Sequence, residues 1–120
     1  MSKQSTIEDR FGHCPYATAQ SLISGKWAVL IMKYLSEGPV RFNELQRLMP
    51  KMSHATLSTQ LKTLMKHGLV IRKEDPHVTQ KVEYELSEIG HQFKPVLDAM
   101  ALWGKQYIAY MNAHKEGEDK

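Results

Sequence analysis

The sequence predicts a mainly α-helical fold of the α+β class that carries one small β-hairpin. Apolar residues recur with helical spacing through most of the chain, and glycines and prolines divide it into short segments. Between residues 69 and 86 the spacing changes to that of two short strands joined by a polar turn. Several helices followed by a hairpin and a long last helix predict a winged helix-turn-helix with flanking dimerisation helices.

The segment 53–68 is predicted to form the central helix, with a signal at each end. Ser53 suits the N-cap position because its hydroxyl can accept a hydrogen bond from a backbone N–H group of the first turn. Gly68 suits the position just after the helix, which favours a left-handed residue. One side carries three leucines and is predicted to be buried: Leu57, Leu61 and Leu64.

The opposite side of this helix carries small polar residues and lysines but no acid. Its centre is formed by Ala55, Thr59, Lys62 and Lys66. Such a face suits the major groove of DNA, where Ser and Thr can reach base edges and Lys can neutralise phosphates. The alternative from this stretch alone is an ordinary solvent-exposed helix, although such helices usually mix glutamate with lysine.

Four shorter segments precede the central helix. Proline is favoured at the first helical position, so Pro15 begins a helix and Cys14 is its N-cap. A second helix is predicted over residues 26–36, with five residues spaced for burial: Trp27, Leu30, Ile31, Tyr34 and Leu35. A short extended piece follows at residues 40–42.

Asn43 is then predicted to cap a helix over residues 44–49 that turns Leu45, Leu48 and Met49 inward. Pro50 closes that helix, so it and the central helix form a helix-turn-helix.

The hairpin and the last helix follow the central helix. Strands are predicted at residues 69–74 and 81–86, with a polar tip at residues 75–80. Ser87 caps a last helix that reaches about His114, and Pro95 is expected to kink or split it. The predicted organisation is a flexible N-terminal arm at 1–13, one domain at 14–114 with dimerisation helices at both ends, and a charged tail at 115–120.

Composition favours an anionic partner for the middle of the chain. The 120 residues carry a net charge of +3, whereas residues 39–83 hold eight bases and four acids. The absence of a signal peptide and of a membrane-length apolar run predicts a soluble cytoplasmic protein without membrane contact. One cysteine excludes an internal disulfide.

These features predict a set of contacts to double-stranded DNA. The major-groove and phosphate contacts are assigned to Arg41, Lys51, Ser53, His54, Ala55, Thr56, Ser58, Thr59, Lys62 and Lys66. The wing contacts are assigned to His77, Thr79, Gln80 and Lys81.

Several sequence blocks, taken in order, resemble the HxlR-type winged helix-turn-helix regulators of bacteria, which are MarR-like. The most specific blocks are Gly25-Lys26-Trp27, Arg41-Phe42-Asn43-Glu44-Leu45 and Val82-Glu83-Tyr84-Glu85-Leu86. The resemblance extends from Cys14 to Tyr107. It implies a dimeric, DNA-binding transcriptional regulator, and some members of the family sense oxidants or electrophiles through a cysteine at the position of Cys14.

The last helix predicts a homodimer independently, because its apolar residues recur in steps of four and three. The predicted interface consists of Tyr16, Ala19, Leu22, Leu97, Met100, Trp103, Gly104, Tyr107 and Met111. Two copies of the central helix would then meet successive major grooves of a pseudo-palindromic operator, about 34 Å apart. The alternative is a last helix that folds back onto its own domain.

Cys14 is the predicted redox-sensing residue. The free N–H groups at a helix start lower the pKa of a thiol, which makes it reactive towards oxidants and electrophiles. The alternative is a buried cysteine that serves as a small apolar group.

Other functional classes receive less support from the sequence. A regulator driven by a small-molecule effector without thiol sensing and a winged-helix adaptor for other proteins are the alternatives kept. No enzyme, cofactor or metal site is predicted, because there is no catalytic constellation and the six histidines are scattered without ligand spacing.

Overall fold

The structure, a computed structural model, describes residues 10–75, residue 77 and residues 82–118. Its helices and strands in chain order are α1 (Pro15–Leu22), α2 (Ala28–Leu35), β1 (Val40–Arg41), α3 (Phe42–Leu48), α4 (His54–Lys66), β2 (Val70–Glu74), β3 (Val82–Leu86), α5 (Glu88–His91) and α6 (Lys94–Glu118). The mainly helical fold with a small sheet is therefore confirmed. Residues 1–9 of the predicted arm and residues 119–120 of the predicted tail lie outside the described residues.

The hydrophobic core lies between α2, α3 and α4, with the sheet and the start of α6 closing it. Its most deeply buried members are Ile31, Met32, Leu35, Leu45, Leu57, Leu61, Leu64, Val70 and Leu86. All three leucines of the central helix belong to this set, so the predicted buried side of that helix is confirmed.

The sheet has three antiparallel strands in the order β1-β3-β2. Strands β2 and β3 form the predicted hairpin, in which Val70 pairs with Leu86 and Glu74 with Val82. The extended piece predicted after α2 becomes β1, where Val40 pairs with Tyr84. This pairing joins residues far apart in sequence, so a local pattern could not predict it.

The predicted start of α3 at Asn43 is wrong. The N-cap is Arg41, whose backbone is extended, and the helix begins directly at Phe42. Arg41 also pairs with Glu83 across the sheet, which holds its backbone in the strand conformation. The chain therefore passes from strand to helix without the linker residues that a capping Asn43 would need.

Two leucines that were predicted to be buried lie at the surface. Leu30 is 43% exposed and Leu48 is 44% exposed. Helix α2 turns Ile31 and Leu35 to the core, so Leu30 falls to the side of the buried stripe. Leu48 lies likewise to the side of the buried Leu45 in α3.

Pro95 splits the last helical segment, as the sequence predicts. Helix α5 ends at His91 and α6 begins at Lys94, so proline is the second residue of the new helix. Proline has no N–H group, and its ring clashes with the carbonyl four residues earlier in a continuous helix. The last helix reaches Glu118, beyond the predicted end near His114.

Ser87 fastens α5 to the end of α4. Its hydroxyl donates to the Gly68 carbonyl at 2.6 Å and accepts from the Gly90 N–H at 3.1 Å. Its own N–H donates to the Leu69 carbonyl at 2.9 Å. A side-chain carbon added at Gly90 would lie 2.3 Å from the Leu69 carbonyl oxygen, so this contact requires glycine.

Candidate nucleic-acid interface

The central helix α4 is held at both ends by the predicted caps. Ser53 is the N-cap, and its hydroxyl accepts from the Thr56 N–H at 3.1 Å. The same hydroxyl donates to the Thr56 Oγ1 at 2.9 Å. Gly68 follows the helix with a φ of 79°, the left-handed conformation that glycine adopts readily. Ser53 and Thr56 are thus engaged with each other in the first turn.

The face of α4 opposite its buried leucines is open to solvent. His54, Ala55, Thr59, Lys62 and Lys66 are exposed, whereas Thr56 and Ser58 are half-buried. The helix contains no acidic residue. A continuous cationic and small-polar surface without carboxylates can approach a polyanion without charge repulsion.

The imidazole of His54 is exposed on one side and contacts an aromatic side chain on the other. Its ring centroid lies 4.5 Å from that of Phe42, at the start of α3. Phe42 in turn lies 6.5 Å from the ring of Tyr84 in β3. These three rings connect the helix-turn-helix with the sheet. Sequence spacing could not reveal this cluster, because its members belong to three separate elements.

The turn between α3 and α4 is held by Gln46, whose side-chain amide donates to the Met52 carbonyl. Met52 is itself buried in the core. Lys51 lies in this turn and is exposed. The fixed turn sets the angle between the two helices, and it presents Lys51 beside the start of α4.

A shallow groove of about 580 Å³ lies between α3 and β3. It is lined by Arg41, Phe42, Asn43, Glu44, Arg47 and Val82. Arg41 and Arg47 are exposed, and Arg41 is one of the predicted phosphate contacts. Asn43 and Arg47 were not predicted as site residues. The signal for Arg47 was its place in the basic middle of the chain.

The wing is described only in part. His77 is exposed, and its backbone N–H donates to the Asp75 carboxylate at 2.9 Å. Thr79, Gln80 and Lys81 lie outside the described residues. Along the strands, Arg72 pairs with Glu74 at 2.6 Å and Lys73 pairs with Glu85 at 2.9 Å. These two bases are therefore partly neutralised by acids of their own chain.

Cys14 is the N-cap of α1 and is half-buried. Its pKa is lowered, chiefly because the backbone N–H of Ala17 stabilises the thiolate. Partial burial opposes this effect, whereas the Tyr16 N–H and the charge of Arg10 add to it. The Sγ atom makes no cap hydrogen bond in this structure. The N–H groups of the first turn therefore lower the pKa of the thiol through their positive electrostatic field.

Most residues of the predicted dimer interface are exposed on the single chain. The exposed fraction is 86% for Tyr16, 41% for Met100, 64% for Trp103, 44% for Tyr107 and 47% for Met111. Ala19 is also exposed, and Leu22 and Gly104 are half-buried. Leu97 lies instead in the core of its own chain.

The exposed part of α6 carries a row of aromatic rings. Trp103 stacks on Tyr107 with 5.3 Å between ring centroids, and Tyr107 lies 5.6 Å from Tyr110. Tyr110 lies 4.0 Å from the ring of His114. From Asp98 to Lys115 every residue except Gly104 is exposed, so this part of α6 does not pack onto its own domain.

The described ranges contain neither a membrane-spanning helix nor a metal-binding cluster. No helix there has the length and apolar character needed to cross a membrane. No group of three or more His, Cys, Asp or Glu side chains in residues 10–75, 77 and 82–118 is placed to hold a metal ion.

Known proteins resemble this chain over most of its length. The family model for the HxlR-like helix-turn-helix matches residues 22–112. The chain is 37% identical over 115 residues to YdeP of Bacillus subtilis, an uncharacterised HTH-type transcriptional regulator, with 93% of this chain and 90% of the relative covered.

Two solved structures share the fold. The redox regulator HypR in its reduced form superimposes with a TM-score of 0.77 at 31% identity, covering 83% of this chain and 99% of HypR. Reduced YodB of Bacillus subtilis, a transcriptional regulator also solved with a bound quinone, has a TM-score of 0.71 at 35% identity, covering 78% of this chain and 93% of YodB. The matched residues, the described fold and these relatives agree, and the chain belongs to the HxlR-like helix-turn-helix family of transcriptional regulators.

Proposed function

We propose that this chain binds double-stranded DNA as a cytoplasmic homodimer and regulates transcription from a pseudo-palindromic operator. The observation that carries the proposal is the acid-free, exposed face of α4 above its three buried leucines. Burial of the leucines fixes the helix on the domain, and the exposed face is left for the major groove.

The residues of this face divide by their chemistry. Thr59 and Ala55 are exposed near the middle and start of α4 and are assigned to base edges, together with the half-buried Ser58. Lys51, Lys62 and Lys66 are assigned to phosphates, as is Arg41 beside the groove of α3. His54, Ser53 and Thr56 are held by contacts within the protein, so their proposed contribution is positioning as well as DNA contact.

The wing supplies further contacts in this proposal. Its tip carries His77, and we keep Thr79, Gln80 and Lys81 as contacts to the backbone or the minor groove. A tip of this composition contains donors and a lysine, which suits phosphate and groove recognition.

Dimerisation is proposed through the exposed stripe of α6, with α1 of the partner packed against it. Met100, Trp103, Tyr107 and Met111 form a large apolar surface, of a kind that monomeric proteins rarely leave open. This proposal corresponds to one domain over residues 14–114 whose first and last helices both take part in dimerisation. Leu97 is left out because its own chain already buries it.

Cys14 is proposed as the sensor of oxidants or electrophiles. A lowered pKa leaves more thiolate at a given pH. The rate at which Cys14 reacts should therefore rise with pH at a lower pH than the rate of an ordinary cysteine does. HypR is named a redox regulator and YodB has been solved with a quinone, which supports the same chemistry here. With one cysteine per chain, oxidation would join two Cys14 side chains or add a small thiol, and an electrophile would alkylate Sγ.

A small-molecule effector without thiol chemistry is the second candidate. A groove of about 240 Å³ between the end of α1 and α5 with the turn that follows it favours this candidate, because the walls are mainly apolar. Its lining consists of Ala19, Leu22, Ile23, Leu69, Ile89, Gln92 and Phe93. Ala19 and Leu22 also belong to the proposed dimer interface, so a ligand there would act on the contact between subunits.

The first experiment measures binding of the purified protein to its own upstream DNA by fluorescence anisotropy, reduced and after diamide or a quinone. The Cys14→Ser protein is the matched control. We expect tight binding that weakens with salt, and release by oxidant that requires Cys14. Release from the Cys14→Ser protein as readily as from the native protein would exclude Cys14 as the sensor, while binding unaffected by oxidant would favour the small-molecule effector.

A further inference from the structure

Helices α2 and α3 leave an apolar groove open on the surface, and none of its lining residues belongs to α6. Its volume is about 230 Å³. Trp27, Leu30 and Tyr34 form one wall along α2, Leu48 forms the other, and Pro50 and Lys51 close one end. We call this the α2–α3 groove.

The groove exposes large apolar side chains that the fold of this chain leaves uncovered. Leu30 and Leu48 are 43% and 44% exposed, although both have the helical spacing of core residues. Trp27 and Tyr34 are half-buried beside them. Side chains spaced along one helix face, with a second helix as the opposite wall, match the way in which a groove receives an amphipathic helix.

Two lysines lie beside the aromatic residues of the groove, one at Trp27 and one at Tyr34. The Lys26 Nζ lies 5.3 Å from the centroid of the Trp27 ring, and the Lys33 Nζ lies 4.6 Å from that of Tyr34. Lys51 is the one charged residue among those that line the groove. An apolar floor with lysines at its rim complements an apolar helix face flanked by carboxylates.

The next depression, beyond Tyr34 and Leu48, is acidic, because Glu37 and Glu44 contribute to its lining. The charge of the surface therefore changes sign beyond Tyr34, and the basic end is the one that holds Trp27 and Tyr34. An acidic ligand is expected to place its carboxylates at that end.

A second copy of this chain is a poor match for these charges. The exposed helix available for such a contact is α6, whose apolar stripe ends at Met111 and has one acid beside it, Asp98, because Glu116 and Glu118 come only in the last turn. That acid is already paired with Lys94 at 2.7 Å. The charge pattern therefore favours a different protein over a second subunit.

We propose that the α2–α3 groove binds an acidic amphipathic helix of another protein, with apolar side chains on Leu30 and Leu48 and carboxylates near Lys26 and Lys33. Such a contact would recruit a protein partner while α4 remains free to bind DNA. The groove shares one residue, Lys51, with the proposed DNA contacts, and none of its lining residues belongs to α4. Binding at Leu30, Leu48 and Lys33 can therefore be tested apart from DNA binding.

The test uses the full-length chain and a fluorescein-labelled helical peptide of about 16 residues, with leucines spaced i, i+3, i+4 and i+7 and glutamates beside them. Anisotropy is measured for the native protein and for Leu48→Ser, Lys33→Glu and Leu102→Ser. Leu102 is 62% exposed on α6, so Leu102→Ser removes an exposed leucine elsewhere. Lys51 is left unchanged because it is also a proposed DNA contact.

We expect saturable binding that Leu48→Ser weakens about tenfold and Lys33→Glu about threefold, with Leu102→Ser unchanged. Added salt should weaken binding, and a peptide with lysine in place of glutamate should not bind. Lys33→Glu changes only a surface charge, so it remains informative if Leu48→Ser unfolds. DNA affinity is measured in parallel and should be unchanged in Lys33→Glu.

Three results would overturn the proposal. The first is no binding of the acidic peptide, or equal binding of the lysine peptide. The second is equal affinity of the native protein and Lys33→Glu. The third is loss of the dimer in folded Leu48→Ser but not in Leu102→Ser, which would make the groove a contact between two copies of this chain.

Discussion

At the scale of single residues, some side chains on the exposed face of α4 contact other residues of the chain, whereas others are left exposed to solvent. Ser53 and Thr56 hydrogen-bond to each other, and His54 rests on Phe42. Thr59 and Lys66 are exposed one and three turns into the helix. They therefore allow the cleanest test of base recognition against phosphate contact.

We expect Thr59→Ala and Lys66→Ala to affect DNA binding in different ways. Thr59→Ala should reduce discrimination between operator variants, because a base-edge contact is lost. Lys66→Ala should weaken binding evenly across sequences and lower the salt slope by about one unit, because a phosphate contact is lost. Anisotropy titrations at several salt concentrations measure both effects. An unchanged salt slope in Lys66→Ala would remove that lysine from the interface.

At the scale of elements, the junction between α4, β3 and α5 depends on a glycine. Gly90 is buried, and an added side-chain carbon would meet the Leu69 carbonyl oxygen at 2.3 Å and the Leu86 side chain at 3.2 Å. The Leu69 carbonyl is fixed because it accepts from the Ser87 N–H. Neither neighbour can move without disturbing the segment at the end of α4.

Gly90→Ala is expected to lower the free energy of unfolding by about 3 kcal/mol, because overpacking a fixed backbone contact forces a local shift. Gly104→Ala is the matched control, since nothing in its own chain lies within 4 Å of its added carbon, and both substitutions are compared in a Trp103→Glu background, where the proposed dimer contact is absent. That change should be neutral or stabilise α6 by up to about 1 kcal/mol. Urea denaturation of all three proteins at one concentration provides the measurement. Equal destabilisation by both substitutions would contradict the close contact at Gly90.

At the scale of the whole molecule, the proposed homodimer depends on one side of α6. Trp103 and Leu102 are neighbours with similar exposure, 64% and 62%, but they point to different sides because each residue turns the helix by about 100°. Trp103 lies in the apolar stripe with Met100 and Tyr107. Leu102 does not.

Trp103→Glu should convert the dimer to a monomer, because it places a carboxylate in the apolar interface. Leu102→Glu should leave the dimer intact. Sedimentation velocity measures the mass, and anisotropy compares DNA with one and with two half-sites. The monomer should lose the extra affinity for two half-sites, because that affinity arises from linking two copies of α4 in one dimer. Dissociation by both variants, or by neither, would argue against this interface.

The sequence predicted those parts of the fold that rest on local signals. Ser53, Gly68 and Pro95 act on their own or adjacent turns, so their effects could be inferred from the residues alone. The start of α3 was missed because Arg41 is held by a strand more than forty residues away in sequence.

The candidate site could be predicted only in part. The exposed side of α4 follows from its leucine spacing, and the structure places its residues accordingly. The contact of Phe42 with His54 depends on how α3 and α4 cross, and the exposure of Leu30 and Leu48 depends on which neighbours cover them. Such tertiary arrangements leave no trace in helical spacing.

The Ser87 junction also connects the end of α4 to the start of α6. Hydrogen bonds continue from Ser87 through α5 into α6, so a tilt of the long helix would be transmitted to the end of α4. A helix of 25 residues is about 37 Å long, and a tilt of about 5° displaces its far end by about 3 Å. In the proposed dimer, a small tilt of α6 would therefore change the distance between the two copies of α4. Because the half-sites of an operator have a fixed spacing, DNA affinity would depend on that distance.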